Sequence, residues 1–136
     1  MAVVEELIRS EESGAISFGN HELAEKAKVD SFEHAGDTYK VKTYSVMTKL
    51  EKNGAFLFES VPGTSVLDFT ETEDELSFVV EGNEDAQLTI GLEDGKDYEV
   101  TVAGEDIGRI ATNMGGKLVL SLELEAQGEV KVTIKK

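Results

Sequence analysis

Leu118-Val119-Leu120-Ser121-Leu122-Glu123-Leu124 and, past Gln127-Gly128, Val130-Lys131-Val132-Thr133-Ile134 place an apolar residue at every second position. Two is the strand period: successive side chains point to opposite faces, so one face is apolar and the other polar. A helical face would need spacings of three and four. Strands wetted on one face belong to antiparallel sheets, because parallel strands are usually covered on both sides. These two segments set the class as all-β.

The same alternation runs upstream. Tyr39, Val41 and Thr43 oppose Lys40 and Lys42, and Tyr98, Val100 and Val102 repeat the pattern. Val66 to Phe69, Leu76 to Val80, Gln87 to Ile90 and Ile107 to Thr112 are further strands, and Ile16 to Phe18 and Val29 to Phe32 are shorter ones. Asn53-Gly54, between Lys49-Leu50-Glu51 and Ala55-Phe56-Leu57-Phe58, is the strongest hairpin signal, because Asn-Gly accepts the positive φ angles of a type I′ turn. Roughly ten short strands at spacings of eight to twelve residues read as an antiparallel β-sandwich or barrel. Residues 21–28 (HELAEKAK) carry helix-forming residues but suit a loop or the start of a strand equally well.

The N-terminal segment reads differently. In Ala2-Val3-Val4-Glu5-Glu6-Leu7-Ile8-Arg9, the side chains of Val3, Val4, Leu7 and Ile8 share one helical face. The expected organisation is a short N-terminal helix over residues 1–12, ended by Ser13-Gly14, followed by a single β domain over 13–136. A helix this short is unstable alone and must dock. The stripe Val3, Val4, Leu7 and Ile8 is therefore the candidate for oligomerisation.

With 13 basic against 28 acidic residues, the 136-residue chain has a net charge of −15. Such a surface repels nucleic-acid backbones and anionic membranes. There is no cysteine, so disulfides, thiolate metal sites and thiol catalysis are excluded. Val3 and Val4 run straight into Glu5-Glu6 with no basic n-region or apolar core, which gives a cytoplasmic expectation.

From Gln87 to Leu124 (QLTIGLEDGKDYEVTVAGEDIGRIATNMGGKLVLSLEL) the chain resembles the closing half of immunoglobulin-like and fibronectin-III-like bacterial sandwiches, domains that often accompany carbohydrate-active enzymes. The opening MAVVEELIR, Ser17-Phe18-Gly19-Asn20 with Glu22 to Lys28, Glu59 to Thr64, and Thr112-Asn113 before Gly115 to Leu118 resemble a family of small bacterial all-β proteins, some labelled endosialidase. The resemblance implies a β fold. A sialic-acid glycosidase needs cationic groups around the substrate carboxylate, and the arginines here are Arg9 and Arg109 alone.

No constellation of catalytic type stands out. Glu71, Glu73, Asp74 and Glu75 sit on a turn, where carboxylates are solvated, whereas a general acid needs a pKa raised by burial. Asn83-Glu84-Asp85 and Asp94-Gly95-Lys96-Asp97 offer oxygen ligands for calcium, yet neither completes a calcium loop, and both read as hairpin turns before they read as calcium sites. His21 and His34 lack the further ligands of a zinc site and read as surface or turn residues. Tyr39, Tyr44, Tyr98 and the phenylalanines read as core before they read as a sugar platform. The expectation is a non-enzymatic structural or interaction protein that self-associates as a homo-oligomer. No catalytic, cofactor or metal residues are assigned, and neither nucleic acid nor membrane is expected as a partner. The alternative is a carbohydrate-binding or accessory domain of glycan metabolism, with a glycan or protein partner.

Overall fold

Hairpin turns that the backbone can make cheaply lay out the chain. Asn53 and Gly54 both take positive φ (52° and 80°), as the type I′ reading requires. Asn53 does more than turn: its Oδ1 accepts from Thr38 N–H and its Nδ2 donates to Asp37 Oδ1, each at 2.9 Å, which ties this turn to the start of the neighbouring strand. Ala35-Gly36 and Ala103-Gly104 make turns of the same positive-φ kind.

The computed structural model describes residues 3–136, of which 59% are strand and 3% helix. The strands are β1 (Ile8–Ser10), β2 (Ile16–Phe18), β3 (Ala27–His34), β4 (Asp37–Thr43), β5 (Thr48–Lys52), β6 (Ala55–Val61) and β7 (Ser65–Glu71). They continue with β8 (Glu75–Glu81), β9 (Ala86–Gly91), β10 (Asp97–Val102), β11 (Glu105–Ala111), β12 (Lys117–Leu122) and β13 (Glu129–Lys135). One short helix, α1 (Leu124–Gln127), lies between β12 and β13. A seven-stranded sheet runs β1-β2-β7-β8-β13-β10-β11 and a six-stranded sheet β12-β9-β6-β5-β4-β3. Every pairing is antiparallel, and the two sheets form a sandwich.

The expected sandwich and its low helix content are what the structure has; the expected N-terminal helix is not. Met1 and Ala2 of that segment lie outside the described residues, and from Val3 to Glu12 there is no helix. Ile8–Ser10 is instead strand β1, pairing with β2. Leu7 takes φ 73°, which a helix forbids. The helical stripe loses because a short isolated helix leaves one flank wet, whereas pairing with β2 hydrogen-bonds the backbone and sends Ile8 inward. Residues 21–28 are turn followed by the start of β3, and Leu124 opens α1 rather than extending β12.

The core is the inner faces of both sheets. Phe58 of β6 reaches from the six-stranded sheet among Phe18, Phe69 and Phe78 of the other, with centroids 5.3, 6.4 and 5.7 Å away in edge-to-face geometry. Leu118, Leu120 and Leu122, and Val130, Val132 and Ile134, are buried as their alternation requires.

Near the start of β5, the hydroxyl of Thr48 closes a buried polar corner. It donates to Thr64 O at 2.7 Å, accepts from Thr64 N–H at 3.1 Å, and meets Thr43 Oγ1 at 2.8 Å. Valine keeps the shape and removes all three bonds, and each buried group left unpaired costs about 1–3 kcal/mol. Thr48→Val is therefore expected to lower stability by about 2–4 kcal/mol in urea denaturation. A loss below about 0.5 kcal/mol, the size of an ordinary surface change, would mean that water supplies these partners.

Candidate functional site

The N-terminal stripe is consumed inside the sandwich. Val4 and Ile8 are buried, and Val3 and Leu7 are half-buried. Val4 N–H donates to Gly19 O at 3.0 Å and Gly19 N–H to Leu7 O at 2.9 Å, so the segment is stitched to the residues that follow β2. Ser10 at the end of β1 meets His34 Nδ1 at 2.8 Å across to β3, while His34 Nε2–H donates to Gly14 O at 2.9 Å. This latch joins one edge of each sheet and closes that side of the sandwich.

Acidic and basic side chains pair along two clefts. Glu71, at the end of β7, lies 3.2 Å from Lys52 and 3.3 Å from Lys136, and Lys52 also approaches Asp37 at 3.6 Å. Glu71 separates a cleft of about 290 Å³, with Glu93, Lys96 and Tyr98 on its wall, from one of about 130 Å³ lined by Asp37, Tyr39 and Lys52. The hydrogen bond from Lys96 holds Glu93 below the carboxylate range, and its charge adds to the effect. The hydrogen bond from Asn53 lowers Asp37. Burial raises Tyr39. Lys52 is partly desolvated, which works downward, but Glu71, Tyr39 and Asp37 outweigh this and lift it. Every one of these shifts moves its group away from neutral pH, the reverse of what acid–base catalysis asks for.

The other sequence candidates are dispersed. Arg9 pairs with Glu11 at 3.0 Å beside β1, and Arg109 donates to Asp97 O at 3.4 Å on β11. β1 and β11 are opposite edges of one sheet, so the arginines do not converge. In the Glu71 to Glu75 turn, Thr72 Oγ1 accepts from the N–H groups of Asp74 and Glu75, leaving Glu73 and Asp74 exposed. Asp85 Oδ1 accepts from Glu125 N–H at 3.1 Å, and Lys96 of the second calcium candidate pairs with Glu93, just outside it, at 2.8 Å. Among the described residues, no three histidine or acidic side chains gather as a metal cage. Tyr39 and Tyr98 are buried, and Tyr44 is half-buried with the Lys26 ammonium 6.0 Å from its ring centre.

His21 was a turn or surface residue by sequence; the structure buries it. Its Nδ1 meets Ser65 Oγ at 2.8 Å, and its Nε2 has no hydrogen-bond partner among the described residues. Burial lowers its pKa from 6.5, opposed in part by Glu22. The unfolded chain then takes up a proton near pH 6.5 that the folded chain refuses. Stability should be flat above that point and fall as the pH drops below it. Glu11, held down by its hydrogen bond from Ser17, loses its contribution only below its ordinary value of 4.5. In His21→Leu, thermal unfolding should lose its pH dependence between 6.5 and about 5 and keep the steeper acid limb. Identical curves for both proteins would show that His21 protonates freely in the fold.

The side opposite the latch is open. β11 and β12 are the remaining edges of the two sheets. A cleft of about 240 Å³ there is lined by Val102, Ile107, Ser121, Leu122, Gln127 and Val130, among others. The large apolar side chains exposed among the described residues are Val46, Val61, Ile107, Met114 and Val119. Three of these five sit on β11, β12 or the loop between them, with Met114 94% exposed. Sequence reading missed this site. It gave Val119 as the wet face of a strand, and no local signal says that the strand is an edge.

The geometry defines the class: a two-sheet antiparallel β-sandwich latched along one side and open along the other. No family model, curated protein or solved structure matches the chain.

Proposed function

We propose that this chain is a non-enzymatic structural protein that works by self-association through the open β11/β12 side of its sandwich. One observation carries the reading: the concentration of exposed apolar side chains, Ile107, Met114 and Val119, at two adjacent strand edges. Exposed edges are normally protected, and an apolar patch beside them is surface that water disfavours at about 25 cal/mol per Å². The clefts, whose titratable groups are shifted away from neutral pH, support the non-enzymatic half of the reading. The N-terminal stripe no longer supplies the joint, because Val4 and Ile8 already serve the chain's own core.

Copies carrying −15 each repel one another, and salt screens that repulsion while leaving apolar contacts intact. Light-scattering mass should therefore show an oligomer that tightens from low to moderate salt. Ile107→Lys together with Met114→Lys, both at exposed positions, should weaken it without lowering thermal stability. A monomer at every salt and concentration overturns the reading.

A further inference from the structure

Tyr39 of β4 is only 8% exposed, yet its hydroxyl has no hydrogen-bond partner among the described residues. A buried hydroxyl is normally paired. The phenol feels the charges of Lys52, Asp37 and Glu71, and all three line the 130 Å³ cleft behind the Ser10–His34 latch, as Tyr39 itself does. The unpaired hydroxyl therefore faces that cleft.

Strand register builds the site. Tyr39 stands directly opposite Lys52 of β5, and Asp37 lies two residues before Tyr39, on the same face of β4. From the other sheet, β7 adds Phe69 and, two residues on, Glu71. The side chains of Lys52, Asp37 and Glu71 are each about a third exposed or less, so their charges act more strongly than on open surface.

The existing bonds show what is left to offer. Glu71 is shared, Oε1 accepting from Lys52 at 3.2 Å and Oε2 from Lys136 at 3.3 Å. Lys52 spends one N–H there and keeps two. Asp37 Oδ1 accepts from Asn53, while its Oδ2 stands 3.6 Å from Lys52 Nζ, longer than a hydrogen bond. With Lys136 answering Glu71, the cleft presents one cation, Lys52, one anion, Asp37, and one hydroxyl donor, Tyr39. The upward shifts of Lys52 and Tyr39 and the downward shift of Asp37 keep all three in these forms at neutral pH.

We propose that this cleft binds a small free α-amino acid as its zwitterion, the carboxylate accepting from Lys52 and Tyr39 and the ammonium donating to Asp37 Oδ2. A lone anion would bring its charge up to Asp37, and a lone cation up to Lys52; a zwitterion answers both with charge-assisted bonds, and a polyol has no charge to answer either. Size narrows the class. The cleft holds roughly four times the volume that a water takes in the liquid, about 30 Å³, and Ile16, Ala35 and Phe69 supply apolar wall. That admits glycine or alanine and excludes a long side chain. The site shares no residue with the open β11/β12 cleft and does not depend on self-association.

The test is a titration of the full-length protein, followed by the backbone amide NMR shifts of Asp37, Tyr39, Lys52 and Glu71. Glycine and L-alanine should give saturable shifts in the millimolar range. Acetate and methylammonium, each half of the ligand, should not saturate at the same concentrations, and L-leucine should bind at least roughly tenfold more weakly. Tyr39→Phe keeps the packed ring and removes only the oxygen, so the variant should stay folded and bind alanine roughly tenfold more weakly. Asp37→Asn keeps an oxygen for Asn53 and should weaken alanine by as much or more. Absence of saturable shifts with both glycine and alanine overturns the proposal. So does acetate binding as tightly as alanine, which marks a plain anion site, or alanine binding unchanged in Tyr39→Phe.

Discussion

Phe58→Ala is expected to destabilise the protein by about 3–5 kcal/mol, the usual cost of deleting a buried aromatic ring. The reason is its position. Phe58 is fully buried and is the member of the aromatic cluster contributed by the six-stranded sheet. It meets Phe18, Phe69 and Phe78 edge-to-face, and such pairs add about 0.5–1.5 kcal/mol each beyond the area they bury. Strand hydrogen bonds join neighbours within a sheet; side chains such as this one join sheet to sheet. Most of the loss should appear as a lower urea midpoint with an unchanged slope. A loss under about 1 kcal/mol would mean that the inner faces close over the gap, which a well-packed sandwich does only in part.

Gly19→Ala is expected to cost about 3 kcal/mol or more, from two separable causes. Gly19 takes φ 96°, a conformation that costs an L-residue about 1–3 kcal/mol. Its missing Cβ would also stand 2.5 Å from Thr64 O and 3.2 Å from Ser65 Cα, both backbone atoms of a packed strand entry. Gly14 provides the control, since it has a similar φ of 93° but nothing within 4 Å of where a methyl group would stand. Gly14→Ala should show the backbone cost alone, and the difference between the two variants measures the collision. Equal losses would place the whole effect in φ and show that the Thr64 backbone yields. The position matters because Gly19 holds the N-terminal segment through Val4 and Leu7, and the next residue, Asn20, donates its N–H to Thr43 Oγ1.

Most strands and the Asn53-Gly54 hairpin were legible because their causes are local. Alternation of Leu118 with Val119, or of Val41 with Lys42, needs only the strand's own side chains and water. The Asn53-Gly54 turn needs only two residues that accept positive φ. The all-β class, the acidic surface and the absence of thiol chemistry follow from the residues themselves. The N-terminal stripe was misread for a physical reason. Val3, Val4, Leu7 and Ile8 fit a helix by spacing, but spacing says nothing of whether a partner strand is at hand. β2 is, and its hydrogen bonds with β1 outweigh a weak helical preference.

Tertiary structure decided the rest, because it depends on which distant segments become neighbours. β13 inserts between β8 and β10, and that placement joins residues far apart in the chain. Burial of His21 against Ser65 and the convergence of Lys52 and Lys136 on Glu71 follow from the same strand order. So does the open edge. The sequence by itself determined that Val119 and Ser121 lie on the wet face of a strand. Only the strand order left β12 with a partner on one side, and an unpaired backbone is a property of the whole sheet, not of the strand that carries it.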